Sequence, residues 1–371
     1  MKFTCAQQDL SKALNIVSKA VSARTTIPIL KGILLQTTSE GTLTLSSSDM
    51  DLSINKTIPV TVEEEGAVVV LAKLFGDIIR KLPEEDLLIE ERENNQIFIG
   101  TASSEFTIMG IPAEEFPKIK EEPEAVQPLS FDSEILKEMI RKTAFAASID
   151  ETKGIIVGVL LETEPGQTNM AALDGFRMAV ARTAIDNEEM VKIVISAKIL
   201  NEIYKIISET EEVNEIMLII SKKKVTILME DTTVVVRLME GEFIKYKEIL
   251  PAQKQTTMEI EKKVFQNSIE RASLFAKEGK NNLIKLAIHN NLLTITSRSE
   301  EGNLKETIIM EKTGEDLEIG FNSKYIADFL KAIEDETIKL EFNTSTSPCL
   351  IKPVEGNSFE YLILPVRIGS N

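Results

Sequence analysis

The residues of this 371-residue chain best placed to do chemistry are three aspartates, Asp49, Asp51 and Asp174. Paired carboxylates can act as general acid and general base, so a hydrolase that works through carboxylates is one interpretation. Asp174 opens the stretch "DGFRMAV", where an Asp–Gly turn separates two apolar runs and Arg177 could hold a substrate. The stretch raises the question whether the chain performs a reaction or presents a surface.

Other residue types that usually carry chemistry are scarce. The single histidine, His289, falls at a predicted hairpin tip in "LAIHNNLLTI", where a solvated turn residue is expected. Cys5 and Cys349 are far apart, which argues against a disulfide framework or a thiolate metal site and fits a reducing cytoplasm. Phosphate-binding, dinucleotide-binding, nucleophile-elbow and zinc-protease motifs do not occur in the sequence. We therefore expect no metal and no cofactor.

Composition indicates an ordinary soluble protein of two or three domains. Hydrophobic residues make up 43% of the chain, and no stretch approaches the roughly 18 apolar residues of a membrane span. Polar residues 7–9 fall where the apolar region of a signal peptide would lie, so none is expected. The net charge of −17, taken as an average, argues against nucleic-acid binding.

Three stretches of helical sequence repeat one pattern: a lysine, three residues, an acid, two apolar residues and a base. They are "KLFGDIIRKL" from Lys73, "KILNEIYKII" from Lys198 and "KYIADFLKAI" from Lys324. The acids are Asp77, Glu202 and Asp328, and the second bases are Arg80, Lys205 and Lys331. The two bases of each stretch are two helical turns apart and therefore point the same way.

A second amphipathic helix precedes each of these stretches, with apolar residues at helical spacing. The three faces are Leu10, Leu14, Val17 and Val21; Leu136, Ile140, Thr143 and Ala147; and Phe265, Ile269, Ala272 and Ala276. Alternating hairpins follow each helix, and a last strand closes each copy: "EFTIMGIP", "TVVVRLM" and "FEYLILPVR". The sequence predicts an α+β fold of three repeated domains, 1–125, 126–253 and 254–371, each with two helices packed on antiparallel sheets.

The six predicted helical stretches together carry a small positive charge, so the acidic residues concentrate in loops and strands. One interpretation is that Lys and Arg are good helix formers on solvated faces. Their recurrence at equivalent positions favours another. If the repeats assemble with their helices on one side, the bases form rings that attract phosphates without reading base sequence.

The chain resembles the family of bacterial DNA polymerase sliding clamps, the beta subunit of DNA polymerase III. The resemblance covers essentially the whole length. It rests on "MKFT" at the start, "IPILKGILL" (27–35), "IPAEEFP" (111–117), "LDGFRMAV" (173–180) and "LILPVR" (362–367), in this order on a threefold repeat.

This resemblance implies a DNA clamp fold that closes a ring as a head-to-tail homodimer, with helices lining the hole. Duplex DNA would thread the ring without regard to sequence. The clamp would be a non-catalytic accessory subunit that tethers the replicative DNA polymerase. An ATP-driven clamp loader would open it, and other polymerases and repair proteins would dock through clamp-binding peptides. It would work in the bacterial cytoplasm at the nucleoid, without a membrane.

Three sets of site residues follow from the resemblance. The partner-peptide pocket is Leu173, Gly175, Phe176, Arg177, Met178, Ile244, Ile249, Leu362, Ile363, Leu364, Pro365, Val366 and Arg367. The DNA-facing residues are Arg24, Lys73, Arg80, Arg141, Lys198, Lys205, Lys324 and Lys331. The dimer interface is Phe106 and Ile108 against Leu274 and Phe275.

The sequence departs from the commonest family pattern at four of its positions. Phe176 stands where His is frequent, Leu173 where Thr is frequent and Ile244 where Pro is usual, which makes the predicted groove more apolar. Ile149 stands where Gln is common, so a DNA contact is not expected there.

Two other functions remain open from the residues alone: a carboxylate hydrolase, and a purely structural repeat protein. Asp49 and Asp174 occupy equivalent places in the first and second repeats, which favours a role in turns over a shared catalytic site.

Overall fold

The computed structural model describes residues 1–22, 25–117, 128–185, 190–210 and 213–368. The predicted DNA-facing residue Arg24 and the predicted domain boundary at 125/126 lie outside these ranges. The α-helices in the described residues are α1 (Gln7–Val17), α2 (Ala72–Lys81), α3 (Ser133–Thr143), α4 (Ala197–Glu209), α5 (Lys262–Ala276) and α6 (Ser323–Ala332).

The strands, in chain order, are β1 (Lys2–Ala6), β2 (Gly32–Thr38), β3 (Thr42–Ser48), β4 (Leu52–Pro59), β5 (Thr61–Glu64), β6 (Gly66–Leu71), β7 (Asp86–Arg92), β8 (Gln96–Gly100), β9 (Glu105–Pro112), β10 (Leu129–Asp132), β11 (Gly158–Glu164), β12 (Gln167–Leu173), β13 (Arg177–Ala184), β14 (Lys192–Ser196), β15 (Glu215–Ile220), β16 (Lys224–Met229), β17 (Thr232–Arg237), β18 (Thr256–Glu261), β19 (Leu283–His289), β20 (Leu292–Arg298), β21 (Asn303–Ile309), β22 (Glu311–Gly314), β23 (Leu317–Asn322), β24 (Thr337–Phe342), β25 (Cys349–Pro353) and β26 (Phe359–Ile363).

The element order confirms the threefold repeat. Each copy begins with a strand and a helix, continues through hairpin strands to a second helix, and ends in three strands that close with β9, β17 or β26. The first and third copies each carry one additional short strand, β5 and β22. Alternating buried and partly buried residues along β3, β16 and β19 show sheets with one face more deeply covered than the other, as the sequence alternation predicts.

The first helix is one turn shorter than its apolar spacing predicts. The Ser18 hydroxyl donates to the carbonyl of Leu14 at 2.5 Å, and the chain continues from Ser18 to Ala20 as a 3₁₀ turn. Such a back-bonded hydroxyl competes with the helical hydrogen-bond pattern. Val21, expected on the helical face, therefore lies beyond the end of α1.

In its described residues the chain packs as two compact units. The first consists of Met1–Glu134 and Glu202–Leu238, and the second of Ile135–Asn201 and Met239–Asn371. The middle repeat contributes to both, so the three repeats and the two compact units divide the chain differently.

The first unit contains a sheet of thirteen described strands in the order β10-β15-β16-β17-β4-β3-β2-β6-β9-β8-β7-β1-β5. Helix α1 packs on β3, β4 and α2. Leu10, Leu14, Phe75 and Ile79 are buried between these layers. The Ser47 hydroxyl donates to the Val17 carbonyl at 2.5 Å and fastens the end of the helix to the sheet.

The second unit contains two sheets in its described residues, ordered β14-β11-β12-β13-β26-β25-β24-β18-β22 and β21-β20-β19-β23. Helices α5 and α6 pack together, and α5 lies on β20 and β21. Phe265, Ile269, Phe321 and Phe329 fill this core.

Each unit contains a ladder that joins two neighbouring repeats. In the first unit β17 pairs with β4, and in the second β26 pairs with β13. In both cases the last strand of one repeat adds to a hairpin strand of the repeat before it. The second of these ladders positions the candidate site. No helix of the described chain is long and apolar enough to cross a bilayer.

Candidate functional site

An apolar surface region, at the place of the predicted groove, lies where the turn between β12 and β13 meets the end of β26. Leu173, Met178 and Leu362 are buried in one hydrophobic cluster with Phe243 and Tyr246. The register of the ladder sets Met178 opposite Leu362, so two segments far apart in sequence form one wall. The structure thus brings together the predicted middle and C-terminal parts of the groove.

The strand ladder continues past β26 into the C-terminal segment. Ile363 lies opposite Arg177 and is fully buried, and the Leu364 N–H donates to the Phe176 carbonyl at 2.9 Å. Pro365 and Val366 are half-buried and Arg367 is exposed. The C-terminal segment therefore borders the groove through its backbone and its apolar side chains.

The groove exposes more large apolar side chains than a solvated surface requires. Phe176 is 54% exposed, and Ile244, Ile249 and Leu364 are also exposed. An apolar patch of this kind marks an interaction site. Each of these side chains belongs to the second compact unit.

The turn at the groove depends on Asp174 and Gly175. An Asp174 carboxylate oxygen accepts the N–H groups of Phe176 at 2.9 Å and Arg177 at 3.0 Å. Gly175 has φ of 93°, in the left-handed region that favours glycine. The backbone at this position places the Phe176 ring outward.

The equivalent carboxylate of the first repeat has the same structural role. Asp49 accepts the N–H groups of Asp51 at 3.1 Å and Leu52 at 2.8 Å. Both aspartates are thus engaged in turn formation, and they lie in different compact units. No cluster of His, Cys, Asp or Glu suited to a metal ion occurs among the described residues. The hydrolase interpretation therefore finds no support among the described residues.

Arg177 lies beneath the groove, whereas the sequence placed it among the residues that line the predicted pocket. The side chain is only 6% exposed and contacts Asp174 at 3.0 Å and Asp328 at 2.7 Å. It also donates to the Phe145 carbonyl at 2.8 Å, and its guanidinium is 4.6 Å from the Tyr325 ring centroid. With its charge neutralised in this way, Arg177 holds the turn against α6.

Phe176 forms the exposed wall of the groove. Its ring stacks on Tyr325 with centroids 6.4 Å apart and an interplanar angle of 23°. The Lys153 ammonium lies 5.8 Å from the same ring. A wall supported on two sides is pre-organised for an apolar ligand.

Polar contacts hold the floor of the groove. The Tyr246 hydroxyl donates to Glu162 at 2.5 Å, and the Lys247 ammonium lies 3.0 Å from the same carboxylate. Burial by itself raises the pKa of Glu162, but the hydrogen bonds from Tyr246 and Lys247 outweigh it and lower the pKa below 4.5. Glu162 thus stays ionised and anchors the segment that carries Ile244 and Ile249.

The sequence reasoning missed several residues that complete the groove. Phe243 and Tyr246 are buried, and Ile155 and Ile156 pack against the same cluster from a different segment. The spacing of Phe243 and Tyr246 around Ile244 was a usable signal. For Ile155 no local signal exists, because its contacts depend on tertiary packing.

The described residues of the predicted DNA-facing set all lie on helices. Lys73 and Arg80 are on α2, Arg141 is on α3, Lys198 and Lys205 are on α4, and Lys324 and Lys331 are on α6. All are exposed except Arg141, which is half-buried. Lys73 and Arg80 line the same cavity of about 610 Å³, so these two bases face one way as their spacing predicts.

Four of these bases pair with carboxylates of their own compact unit. Arg80 contacts Asp77 at 2.5 Å, Lys205 contacts Glu202 at 2.8 Å, Lys324 contacts Asp328 at 2.7 Å, and Arg141 contacts Glu334. The first three pairs use the acid that the repeat places beside each base. Four of the seven described bases are therefore already compensated by a nearby acid.

The predicted dimer residues differ in exposure. Phe106 is 39% exposed and Leu274 66% exposed, and Phe275 is half-buried. Ile108 is only 8% exposed and pairs with Ile97 within its own sheet, so it contributes to the core of its own chain. This corrects the expectation that Ile108 presents its side chain to a partner.

His289 and the two cysteines lie where the sequence placed them. His289 ends β19 with an exposed ring whose Nδ1 is 3.2 Å from Asp316. Cys5 and Cys349 are separate, buried, free thiols, and burial raises the pKa of Cys5 to about 12.

Three repeats of one two-helix α+β unit define a repeat protein with an exposed apolar surface in its second compact unit. Family models for the DNA polymerase III beta subunit match the chain along its length: the N-terminal domain at residues 1–120, the central domain at 130–245 and the C-terminal domain at 247–367. The chain belongs to the DNA polymerase III beta subunit family, the beta sliding clamps, which are non-catalytic processivity subunits.

The chain is similar in sequence and structure to known sliding clamps over almost its full length. The beta sliding clamp of Bacillus subtilis is 34% identical over 99% of this chain and 100% of that protein. The crystal structure of the Bacillus subtilis DNA polymerase sliding clamp matches with a TM-score of 0.94 and 32% identity, covering 100% of both chains. A sliding clamp from Pseudomonas aeruginosa bound to griselimycin matches with a TM-score of 0.92 and 25% identity, covering 99% of this chain and 100% of that one.

Proposed function

We propose that this sliding clamp is a head-to-tail homodimeric ring that encircles duplex DNA without regard to sequence and tethers the replicative DNA polymerase. The single observation that carries the proposal is the full-length threefold repeat, with exposed bases at equivalent positions of α2, α4 and α6. An encircling ring needs no tight contact, so loosely held charges suit sliding better than readers of base edges.

The compensated charges support the same proposal. A base that already pairs with a carboxylate must exchange that contact for a phosphate, so each exchange gains little free energy. Lys73, Lys198 and Lys331 form no ion pair with described residues and would make the first contacts. Small gains at many positions favour retention by the closed ring over tight binding at one place.

Loading on nicked circular DNA, followed by linearisation, tests the function. The loaded clamp is expected to remain on nicked circles and to be lost when the DNA is cut, because it slides off the ends. Retention on linear DNA would contradict encirclement. Neutralising Lys73, Lys198 and Lys324 together should weaken loading and retention while the dimer persists. Unchanged loading and retention at low salt would contradict their assignment to DNA.

The groove is proposed as the docking site for the polymerase, the ATP-driven clamp loader and other polymerases and repair proteins, through short apolar peptides. The exposed Phe176 wall and the apolar Ile244 and Ile249 support this assignment. Replacing Phe176 by Ala should weaken polymerase binding at least about tenfold, since the lost aromatic burial exceeds 1.4 kcal/mol. Polymerase binding that is unaffected would place the docking site elsewhere.

The dimer interface is proposed to join the Phe106 edge of one subunit to Leu274 of the next. A contact within the chain supports it: the Phe145 and Tyr361 rings lie 5.6 Å apart. Phe106 occupies the place of Tyr361 in its repeat, and Leu274 that of Phe145. Replacing the exposed Leu274 by Asp should give monomers in sedimentation, whereas a dimer at micromolar concentration would exclude this pairing.

A further inference from the structure

One carboxylate of α6 is shared between the predicted DNA-facing surface and the groove. A single oxygen of Asp328, Oδ2, accepts from Arg177 Nη1 at 2.7 Å and from Lys324 Nζ at 2.7 Å. The three side chains lie at different depths, since Lys324 is 62% exposed, Asp328 23% and Arg177 6%. Asp328 therefore lies between a base that meets solvent and a base beneath the groove.

From Arg177 the contacts continue to the groove wall. Arg177 Nε donates to one oxygen of Asp174 at 3.0 Å. The other oxygen of Asp174 accepts the N–H groups of Phe176 and Arg177 and so shapes the turn. The position of the Phe176 wall thus depends on Arg177 and, through Arg177, on Asp328.

The start of α6 is fixed, so the Lys324 side chain can change partner while its backbone stays in place. The buried Tyr361 hydroxyl donates to the Tyr325 carbonyl at 3.0 Å, and the Asn322 side chain accepts the Lys324 N–H at 2.9 Å. An exchange at Lys324 therefore acts on the groove through the charge of Asp328 and needs no movement of the helix.

The repetition of the fold does not account for this link. Asp77 and Glu202 each pair with the base three residues further along their own helix. Asp328 instead reaches Arg177, whose place in the first repeat is taken by the buried Leu52. Among the described residues, the link is therefore particular to the pair of repeats that carries the groove.

We infer that Asp328 is a positioning residue that links DNA in the ring to the order of the docking groove. When Lys324 leaves Asp328 for a DNA phosphate, the carboxylate is left to Arg177. Two cations at one oxygen repel each other, so the departure of one strengthens the hold on the other. The turn that carries Phe176 then becomes firmer. This inference rests on the proposed function and adds a regulation of its docking site.

The link gives partner docking a direction. A firmer turn lowers the cost of ordering the Phe176 wall around an apolar peptide, so the groove binds more tightly when DNA occupies the ring. Because coupling between two sites is reciprocal, a docked peptide strengthens the hold on DNA by the same factor. Partners are therefore favoured on loaded clamps over free ones.

Hydrogen exchange of the Phe176 and Arg177 amides reads the order of the turn directly, because both amides donate to Asp174. The exchange is measured by fragment-resolved mass spectrometry on the free clamp and on the clamp loaded onto nicked circular DNA. Loading is expected to slow exchange of these two amides about two- to fivefold, the size expected when one exposed ion pair is exchanged.

Three variants separate the link from a general effect of charge. Lys324→Gln releases Asp328 without DNA, so the free variant should already exchange slowly and loading should slow it no further. Lys331→Gln is the matched control, since it removes an exposed base of the same helix that forms no ion pair with a described residue, and it should behave like wild type. Asp328→Asn should exchange faster than wild type and show no dependence on DNA.

The outcomes distinguish this link from the ring itself. Unchanged exchange in a loaded wild-type clamp would overturn the link, as would a free Lys324→Gln clamp that exchanges like wild type. The same slowing in free Lys331→Gln would show a general charge effect and also overturn it. If the wild-type clamp is not retained on nicked circles, the proposed function fails, while the comparison of the two free lysine variants still decides whether Asp328 links Lys324 to the turn.

Discussion

Removing the Arg177 side chain should be one of the most damaging single changes in the second compact unit. The guanidinium is almost completely buried and contacts Asp174, Asp328 and the Phe145 carbonyl. Truncating one partner of a buried ion pair leaves a charge without compensation, which costs about 3–5 kcal/mol. Arg177→Ala therefore removes the link between the groove turn and α6.

The structure places the cost at the lower end of that range. Asp328 keeps Lys324 at 2.7 Å, and Asp174 keeps the two backbone N–H groups of its turn. Neither carboxylate is left entirely without a donor. We expect a loss of about 3 kcal/mol in the free energy of unfolding. Arg177→Lys should fall between wild type and Arg177→Ala, because an ammonium cannot serve all three acceptors at once.

Hydrogen exchange of the β13 and β26 amides during a urea titration measures this loss locally, which avoids treating the chain as one two-state unit. Arg92→Ala is the control: Arg92 is half-exposed, contacts Glu90 at 2.8 Å and covers the Phe98 ring at 3.9 Å. An exposed pair of this kind should cost about 1 kcal/mol or less. A cost for Arg177→Ala no larger than for Arg92→Ala would refute the assignment of Arg177 as the fastening beneath the groove.

Three further predictions concern the groove and the thiols. The pKa of Glu162 is lowered in the folded state, so the Glu162 carboxylate contributes to stability above the ordinary pKa of 4.5. That contribution is lost as the pH falls below 4.5. Acid denaturation should show this loss in the wild type, and the Glu162→Gln variant should lack it. Phe243→Ala should cost about 3–5 kcal/mol in urea unfolding because the ring is buried, whereas Phe176→Ala, which truncates an exposed ring, should cost about 1 kcal/mol or less. Cys5 and Cys349 should resist thiol reagents at pH 8 until the protein unfolds, since both are buried and their pKa values are raised; labelling of the folded chain at the rate of a free thiol would contradict this.

The sequence by itself determined the repeat and its elements. The lysine-acid-base pattern placed α2, α4 and α6, because helical periodicity is a local property that three copies reinforce. Equivalence of Asp49 and Asp174 likewise predicted turns in place of catalysis, and both carboxylates accept backbone N–H groups as that role requires. Helix ends were less predictable, because the Ser18 back-bond that ends α1 competes with propensity over a single turn.

Tertiary structure decided which of these side chains face solvent and which share a site. Arg177 and Ile108 each lie in a short apolar stretch. Asp328 of helix α6 neutralises the first, and packing within its own compact unit buries the second. Ile155 joins the groove through contacts between segments distant in sequence, which periodicity does not encode. The register of β26 on β13 likewise exists only in the folded chain, because hydrogen bonds between strands fix it and sequence spacing does not.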